Sequence, residues 1–367
     1  MHLPTDEQRA LGEACREVLG KHSTSRQIRS IAESGSGHDT ALWRLTADLG
    51  WNALAVPEDL GGLGGSACDL AVVAEEFGRA SQPSLLVQTL AVAAVLSRHA
   101  AGHGPARDLL GGIASGDAIV TWAVGEPDAG DPLTVDSSGD MARLTGRREY
   151  VPDAQCATHA VVRADSAAGP CLAIVPLTAG GVSVAPMQTI DIMRRYCRLT
   201  FAGTDVPAAA LLGGRAAVQE LFHLGVVLQC AESAGAAGRL LEMTVSYAGQ
   251  RYQFGEPIGR FQAIKHRIAD MLIETEGCRV ATREAAEAID ACGRVREAVS
   301  VAKSWTGRAA SFVASHALQI HGGIGFSWEH DLHLYLRRAK ANELLLGTPR
   351  WHEERLAALL APSRRPT

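Results

Sequence analysis

At 367 residues the chain is long enough for two or three cooperating domains. Its 47% hydrophobic and 20% charged content is that of a soluble globular protein. Its 35 basic against 40 acidic side chains, a net charge of −5, argue against a nucleic-acid surface. No apolar run approaches the roughly 18 to 20 residues that a bilayer span needs. The polar start MHLPTDEQRALGEACREVLG does not resemble a signal peptide. The eight cysteines contain no C-x-x-C pair. A cytoplasmic protein with reduced thiols, no disulfide frame and no zinc site is expected.

Residues 1–117 read as a helical domain. Thr5 ahead of Glu7-Gln8 marks a helix start. Leu42, Leu45, Leu49 and Trp51 mark an apolar face, Glu58 to Gly65 a glycine-rich loop, and Ala71 to Phe77 a further helix. Residues 118–214 change texture. Prolines recur between short β-prone runs (AIVTWAV, HAVVRA, CLAIVPL, GVSVAP, YCRLTFAG), which predicts an antiparallel sheet or small barrel. Residues 215–367 return to helix. No proline lies between Pro257 and Pro349, and Ala269, Leu272, Ile273 and Glu276 repeat at helical spacing. The final APSRRPT reads as a frayed tail.

Two segments carry chemistry. In RYQFGEPIGRFQAIKHRIADM, Arg251 to Met271, an arginine precedes Phe254-Gly255, a Pro257-Ile258 turn and Phe261-Gln262. A guanidinium suits a diphosphate. Gly255 and Pro257 are expected to end one helix and start the next, and Gln262 can offer an amide to a polar ligand. The spacing fits a ligand-contacting corner between two helices, or a basic corner with nothing bound. In Gln319 to Phe326, three glycines at a helix end either present backbone N–H groups to a ligand or form a C-cap with a tight loop.

These residues resemble the acyl-CoA dehydrogenase family, which has an R-x-x-F-G-x-P-I-x-x-F-Q signature. LGWNALAVPEDLGGLG (Leu49 to Gly64), WAVGEPDAG (Trp122 to Gly130) and QIHGGIGF followed by RRAK and LLGT extend the likeness, in the family's order, over nearly the whole chain. The resemblance implies an acyl-CoA dehydrogenase-like fold: an N-terminal α-helical domain, a middle antiparallel β-sheet or barrel domain, and a C-terminal α-helical bundle. It implies FAD held between the last two, with Arg251, Phe254, Gln262, Gln319, Gly322, Gly323 and Thr348 among its contacts. Trp122, Val124 and Tyr150 would line the flavin ring, and Asp131 would stand near the substrate. Three positions depart from the family's pattern. Gly125 replaces a threonine, Asp131 a serine, and Pro152 the threonine of a W-I-T-N-G segment, with loss of that residue's side-chain donor and N–H.

The family's chemistry removes an α-proton with a carboxylate base. At the usual position, before Gly-Thr, this chain has Leu346. At the alternative position, counted back from Arg251, it has Gly225. Glu232 lies seven residues further on, two helical turns or about 10 Å along the same face. It is the candidate base, or else a structural ion pair in an apolar run. Glu220 faces elsewhere; Asp131 and Glu343 are weaker candidates. His330 and His333 have an i, i+3 spacing without an evident third metal ligand.

The segment GIGFSWEHDLHLYLRRAKANELLLGTPRWH is similar to bacterial, especially actinobacterial, members, some of which pair two unlike subunits, as in steroid side-chain degradation. The resemblance therefore implies an FAD-dependent dehydrogenase of an acyl-CoA or acyl-carrier thioester, passing electrons to an electron-transfer flavoprotein. It would act as a homo- or hetero-oligomer, dimer or tetramer, with a related subunit. A non-catalytic partner subunit and a flavin-dependent monooxygenase of the same fold are the other readings.

Overall fold

The computed structural model describes residues 3–34, 37–100, 104–125 and 133–361. Six helices come first: α1 (Asp6–His22), α2 (Ser25–Ser34), α3 (Thr40–Asp48), α4 (Ala67–Ala80), α5 (Leu86–Ala100) and α6 (Gly104–Ser115). Eight strands follow: β1 (Val120–Ala123), β2 (Thr134–Ser138), β3 (Met141–Pro152), β4 (His159–Ser166), β5 (Gly169–Pro176), β6 (Val182–Pro186), β7 (Tyr196–Pro207) and β8 (Leu211–Leu212). The chain ends with α7 (Gly214–Gln250), the short strands β9 (Tyr252–Gln253) and β10 (Glu256–Pro257), then α8 (Gln262–Asp290), α9 (Val295–His321), α10 (Leu332–Leu344) and α11 (Pro349–Leu360). No helix among the described residues is long and apolar enough to cross a membrane.

Compactness divides the chain into two units that interleave in sequence. One gathers residues 1–20, 71–81 and 226–367; the other holds residues 21–70 and 82–225.

In the first unit, α1 begins as expected at Thr5. Its Oγ1 accepts from Gln8 N at 3.1 Å while Gln8 Oε1 accepts from Thr5 N at 3.2 Å, a reciprocal capping box. Only Cys15 and Leu19 of α1 are buried, one turn apart. A two-point ion pair fixes the helix: Arg16 Nη2 and Nε donate to the two Glu76 oxygens at 2.5 and 3.0 Å. α4 then crosses α7 at backbone contact. A Cβ on Gly78 would lie 2.0 Å from Glu232 O, and one on Gly235 1.8 Å from Glu75 O. Only glycine permits that approach at both points. Ion pairs rim the crossing, Arg279 to Glu75 at 2.9 Å and Arg79 to Glu242.

The α8 face differs from expectation. Leu272 and Ile273 are 48% and 63% exposed, and the buried stripe runs instead through Met271, Thr275, Cys278, Thr282, Ala285, Ala286 and Ile289. Small residues let α8 pack closely, so residue size rather than hydrophobicity marks its inner face.

In the second unit, Asp39 caps α3 by accepting from Ala41 N and Leu42 N. The buried α3 residues are Leu42, Trp43 and Thr46; Leu49 lies beyond the helix end and is 45% exposed. The sheet runs β6-β7-β3-β2-β4-β5-β8, with β1 added beside β4. It is mostly antiparallel, but β1 and β2 each meet β4 in parallel. All five strand runs read from sequence occur as strands. The β2–β3 hairpin was not among them, because alternate residues there are polar: Val135, Ala142 and Leu144 face inward while Asp136, Arg143 and Thr145 face out.

Candidate functional site

α7 carries its last turn to Arg251, whose N donates to Tyr247 O at 2.8 Å. The chain does not pass straight into a second helix. It forms a β9–β10 hairpin with Gln253 opposite Glu256 and Tyr252 opposite Pro257. Phe254 (φ 53°) and Gly255 (φ 81°) are its two turn residues. Two consecutive positive φ values are those of a type I′ turn. Gly255 thus serves the hairpin and is not a helix cap, and Pro257 pairs in β10 and does not open a helix. α8 starts at Gln262. Its N-cap, Phe261, makes no side-chain cap hydrogen bond, and its first turn holds no acidic residue. An N-terminus without a side-chain cap, with its dipole and N–H groups, is suited to an anion. Arg251 and Gln262 are exposed, and Phe254 is 92% exposed, its ring edge-on to Phe261 at 6.1 Å.

The glycine segment lies against the same end of α7. α9 closes at Gly322 (φ 63°, ψ −141°), a conformation that favours glycine. Side chains on Gly322 or Gly323 would meet nothing within 4 Å, whereas one on Gly325 would press on Leu318 O at 3.1 Å. The backbone at residues 322–323 is therefore open to close approach from outside. Tyr247 joins this loop to the Arg251 corner. Its ring stacks on His321 at 4.4 Å and its hydroxyl donates to His321 O at 3.3 Å. Sequence reasoning passed over Tyr247; its place one turn before Arg251 was the available signal. Gln319 is exposed on the last turn of α9. His330 and His333 serve local packing: the His330 ring lies 5.0 Å from His321, and His333 stacks on Trp328 at 4.7 Å. Among the described residues, no three His, Cys, Asp or Glu side chains group to hold a metal.

The turn after α10 is held from below by two buried groups. Leu346 adopts φ 56° and Gly347 φ 87°. Lys303, 2% exposed, donates Nζ hydrogens to Gln229 Oε1 at 2.6 Å, Leu345 O at 2.7 Å and Asn342 O. Burial pushes its ammonium down to about 8, against the charges of Cys230 and Glu343. His352, fully buried, meets Leu346 O through Nε2 at 2.9 Å. Thr348 caps α11 by accepting from Trp351 N at 3.2 Å. Neither Lys303 nor His352 was legible as part of this turn.

Burial lowers His352 to about 4; the Leu346 carbonyl opposes this, and Lys303 and Arg355 reinforce it. The folded chain thus binds fewer protons than the unfolded chain between the ordinary histidine value near 6.5 and about 4. The stabilisation is complete above pH 6.5 and falls as the pH drops toward 4, by about 3 kcal/mol in all. His352→Gln should flatten this part of the stability profile. Urea unfolding of both chains at pH 7 and pH 4.5 measures it; parallel profiles would refute the assignment.

The carboxylates sit as follows. Glu232 is 3% exposed in α7, with its backbone under Gly78. Glu343 accepts from Ser311 Oγ at 2.5 Å and Lys340 Nζ at 2.8 Å. Burial raises its proton affinity, but these two donors and the Lys340 and Lys303 charges outweigh that and leave it below the ordinary glutamate value. Gly225 is buried in α7. Glu220, in the strand-bearing unit, pairs with Arg98 and His99.

Within that unit, Trp122 is 7% exposed on β1, and Val124 and Gly125 follow, half-buried. Asp131 lies outside the described residues. Thr121 Oγ1 donates to Pro152 O at 2.6 Å, tying β1 to the end of β3. There the register slips between Arg148 and Val151, and Tyr150, with φ 57°, is turned half out to 51% exposure.

Comparison with known proteins agrees with the fold. The family model for the acyl-CoA dehydrogenase N-terminal domain matches residues 5–117, and that for the C-terminal domain matches residues 213–360. The acyl-CoA dehydrogenase IpdE2 of Mycobacterium tuberculosis is 33% identical over 354 residues, covering 95% of each chain. Among solved structures, the Tcur3481-Tcur3483 steroid ACAD is similar with a TM-score of 0.90 and 32% identity, over 97% of this chain and 98% of the other. The ChsE4-ChsE5 complex from Mycobacterium tuberculosis is similar with a TM-score of 0.89 and 28% identity, over 99% of this chain and all (100%) of its counterpart.

Proposed function

The chain belongs to the acyl-CoA dehydrogenase family, and from that premise we propose that it is an FAD-binding subunit that acts on an acyl-CoA thioester together with a related subunit. One contrast carries the reading: the residues suited to a diphosphate are all present, while both base positions, Leu346 and Gly225, lack a carboxylate. Bound FAD would take the β-hydrogen of the thioester as hydride and pass the electrons to an electron-transfer flavoprotein.

This chain's own residues would do the binding. Arg251 and the start of α8, with Gln262, offer charge and N–H donors to the diphosphate. Gly322 and Gly323 let a ligand reach the backbone, and Gln319 adds an amide. Trp122, Val124 and Tyr150 supply the wall for the flavin ring. Phe254, exposed at the hairpin tip, and Thr348 are further contacts. Arg251→Ala should weaken FAD binding by about 10- to 100-fold, the cost of one charge-assisted contact, with the unfolding midpoint unchanged. Unaltered flavin occupancy would remove Arg251 from the site.

The α-proton would leave to a base on the related subunit. Glu343 is held ionised by Lys340 and Ser311, which weakens it as a proton acceptor. Glu232 is buried in α7 with its backbone against Gly78, and is this chain's own alternative for the base. The double names of the two similar structures support a paired subunit, and the steroid description of one makes a steroid-derived thioester the first substrate to assay. A carrier-protein thioester is the second. The test is co-expression with a related dehydrogenase chain, followed by flavin stoichiometry and turnover with an artificial acceptor. The pair should turn over and this chain alone should not. If this chain turns over alone, and Glu232→Gln abolishes that activity with flavin retained, the base is Glu232.

A further inference from the structure

The turn between α10 and α11 is gripped by α9. Lys303 reaches it, and each of its three ammonium hydrogens has an acceptor: Gln229 Oε1 on α7, and the Asn342 and Leu345 carbonyls at the end of α10. The orphan carbonyls of a helix end are usually met by backbone N–H groups or water. Here a cation from another helix meets two of them. One helical turn further along α9, a Cβ on Gly307 would stand 2.8 Å from Pro349 Cγ, and between the two Ser304 Oγ donates to Pro349 O at 3.4 Å. Gln229 and Asn342 are joined a second way. Ser233 Oγ accepts from Asn342 Nδ2 at 3.1 Å and donates to Gln229 O at 2.9 Å. Lys303, Gln229, Ser233 and Asn342 thus close a ring of hydrogen bonds across α7, α9 and α10, in which none is more than 6% exposed.

We propose that Lys303 is the positioning residue of this turn, its ammonium fixing, through the Asn342 and Leu345 carbonyls, how Leu346, Gly347 and Thr348 meet the bound cofactor. The inference rests on the FAD reading above, in which Thr348 is a contact and Leu346 holds the place of the base. The turn has little room to settle otherwise. Leu346 and Gly347 both have positive φ, and a Cβ on Gly347 would lie 2.6 Å from Trp351 Cε3 and 2.8 Å from His352 Nε2. The same geometry gives the turn a pH dependence. A neutral amine has two N–H groups and a lone pair, so loss of the proton leaves one of the three acceptors without its donor. Burial pushes Lys303 down to about 8, against the charges of Cys230 and Glu343. The groups that face it titrate elsewhere. Burial pushes the Cys230 thiol up to about 11, and Cys278 of α8, which acts on it, up to about 12. Glu343 lies below the ordinary glutamate value and His352 of α11 at about 4. Between pH 7 and 9, Lys303 is therefore the group of this cluster that changes charge.

The experiment uses the full chain, in its complex if pairing is needed to load FAD. Hydrogen-exchange protection of the amides of residues 345–351 and the Kd for FAD are measured at pH 7 and pH 9, for the wild type, Lys303→Met and Lys303→Arg. In the wild type the rise in pH should lower that protection and weaken FAD binding about three- to tenfold, the effect of one hydrogen bond. Lys303→Met should be loose and weak at both pH values. Lys303→Arg, which keeps its charge, should be protected and tight at both. Either variant suffices beside the wild type if the other does not fold. Stability moves the opposite way. The ammonium is less favoured in the folded chain than in the unfolded one, where lysine titrates near 10.5, so its contribution to stability rises from pH 8 upward. A loss of FAD affinity at pH 9 is then not a loss of fold. Protection and affinity that stay level in the wild type, or that change equally in Lys303→Met, would overturn the role of Lys303 alone. A wild-type chain that binds no FAD, alone or paired, overturns the FAD reading, and the exchange measurement, which needs no flavin, still decides whether Lys303 holds the turn.

Discussion

Gly235→Ala destabilises the helical unit by roughly 3 kcal/mol or more, the upper range for overpacking a close contact. The added methyl would stand 1.8 Å from Glu75 O and 2.8 Å from Arg79 N, which are backbone atoms that no rotamer change can move. α4 and α7 must separate, and the ion pairs that rim the crossing, Arg279 to Glu75 and Arg79 to Glu242, stretch with them. The bond from the Tyr335 hydroxyl to Arg79 O, 2.9 Å, is strained by the same shift. Gly78→Ala meets Glu232 O at 2.0 Å and should behave alike. Gly111→Ala is the control: it is exposed in α6 with nothing within 4 Å of the new carbon. There the helix propensity of alanine should add about 0.5 to 1 kcal/mol of stability. Thermal and urea unfolding read all three, and equal midpoints for Gly235→Ala and Gly111→Ala would sink the account of the crossing.

The largest effect on activity is expected from Leu346→Glu. A positioned general base contributes about 10²- to 10⁴-fold, so the variant should gain turnover of that order over the unaided chain. The turn should survive the change. Leu346 already occupies the left-handed region at φ 56°, and the carbonyls on either side of its N–H are held by Lys303 and His352. Glutamate brings no more backbone strain than leucine in that conformation. Leu346→Gln separates proton transfer from shape and should gain nothing. A Leu346→Glu chain that keeps its FAD and stays as slow as Leu346→Gln would show that this turn does not present the base in this chain.

Much of this was legible from residue types. Thr5 with Gln8 announced α1, and the apolar runs around Val161 and Ile174 announced the central strands. The Arg251 to Gln262 signature named the family. What escaped was written in absence or in distance. The β2–β3 hairpin hides because a strand with one buried and one exposed face alternates, and alternation dilutes its apolar residues. The inner face of α8 hides because it is built from Thr275, Cys278 and Ala285, whose value is their size. The hairpin at Phe254-Gly255 was mistaken for helix punctuation, since a glycine after a helix fits both. Lys303 lies 42 residues from the Leu345 carbonyl that it holds. Its role comes only from a burial and three bonds that no local pattern encodes.

The interleaving of the two units bears on how the chain emerges from the ribosome. Residues 21–70 and 82–225 form their own compact unit and are complete before α7 is halfway made. α1 and the stretch 71–81 are synthesised early, but the surfaces they need come last. Gly78 waits for Glu232, and Glu75 for Arg279, across intervals of 154 and 204 residues. For most of translation, then, the side of α4 that carries Gly78 and Glu75 lacks its final neighbours on α7 and α8, and folding rates fall as such separations grow. A stalled or C-terminally truncated chain should therefore display its first helix and α4 to proteases and chaperones, while its strand-bearing unit is already protected.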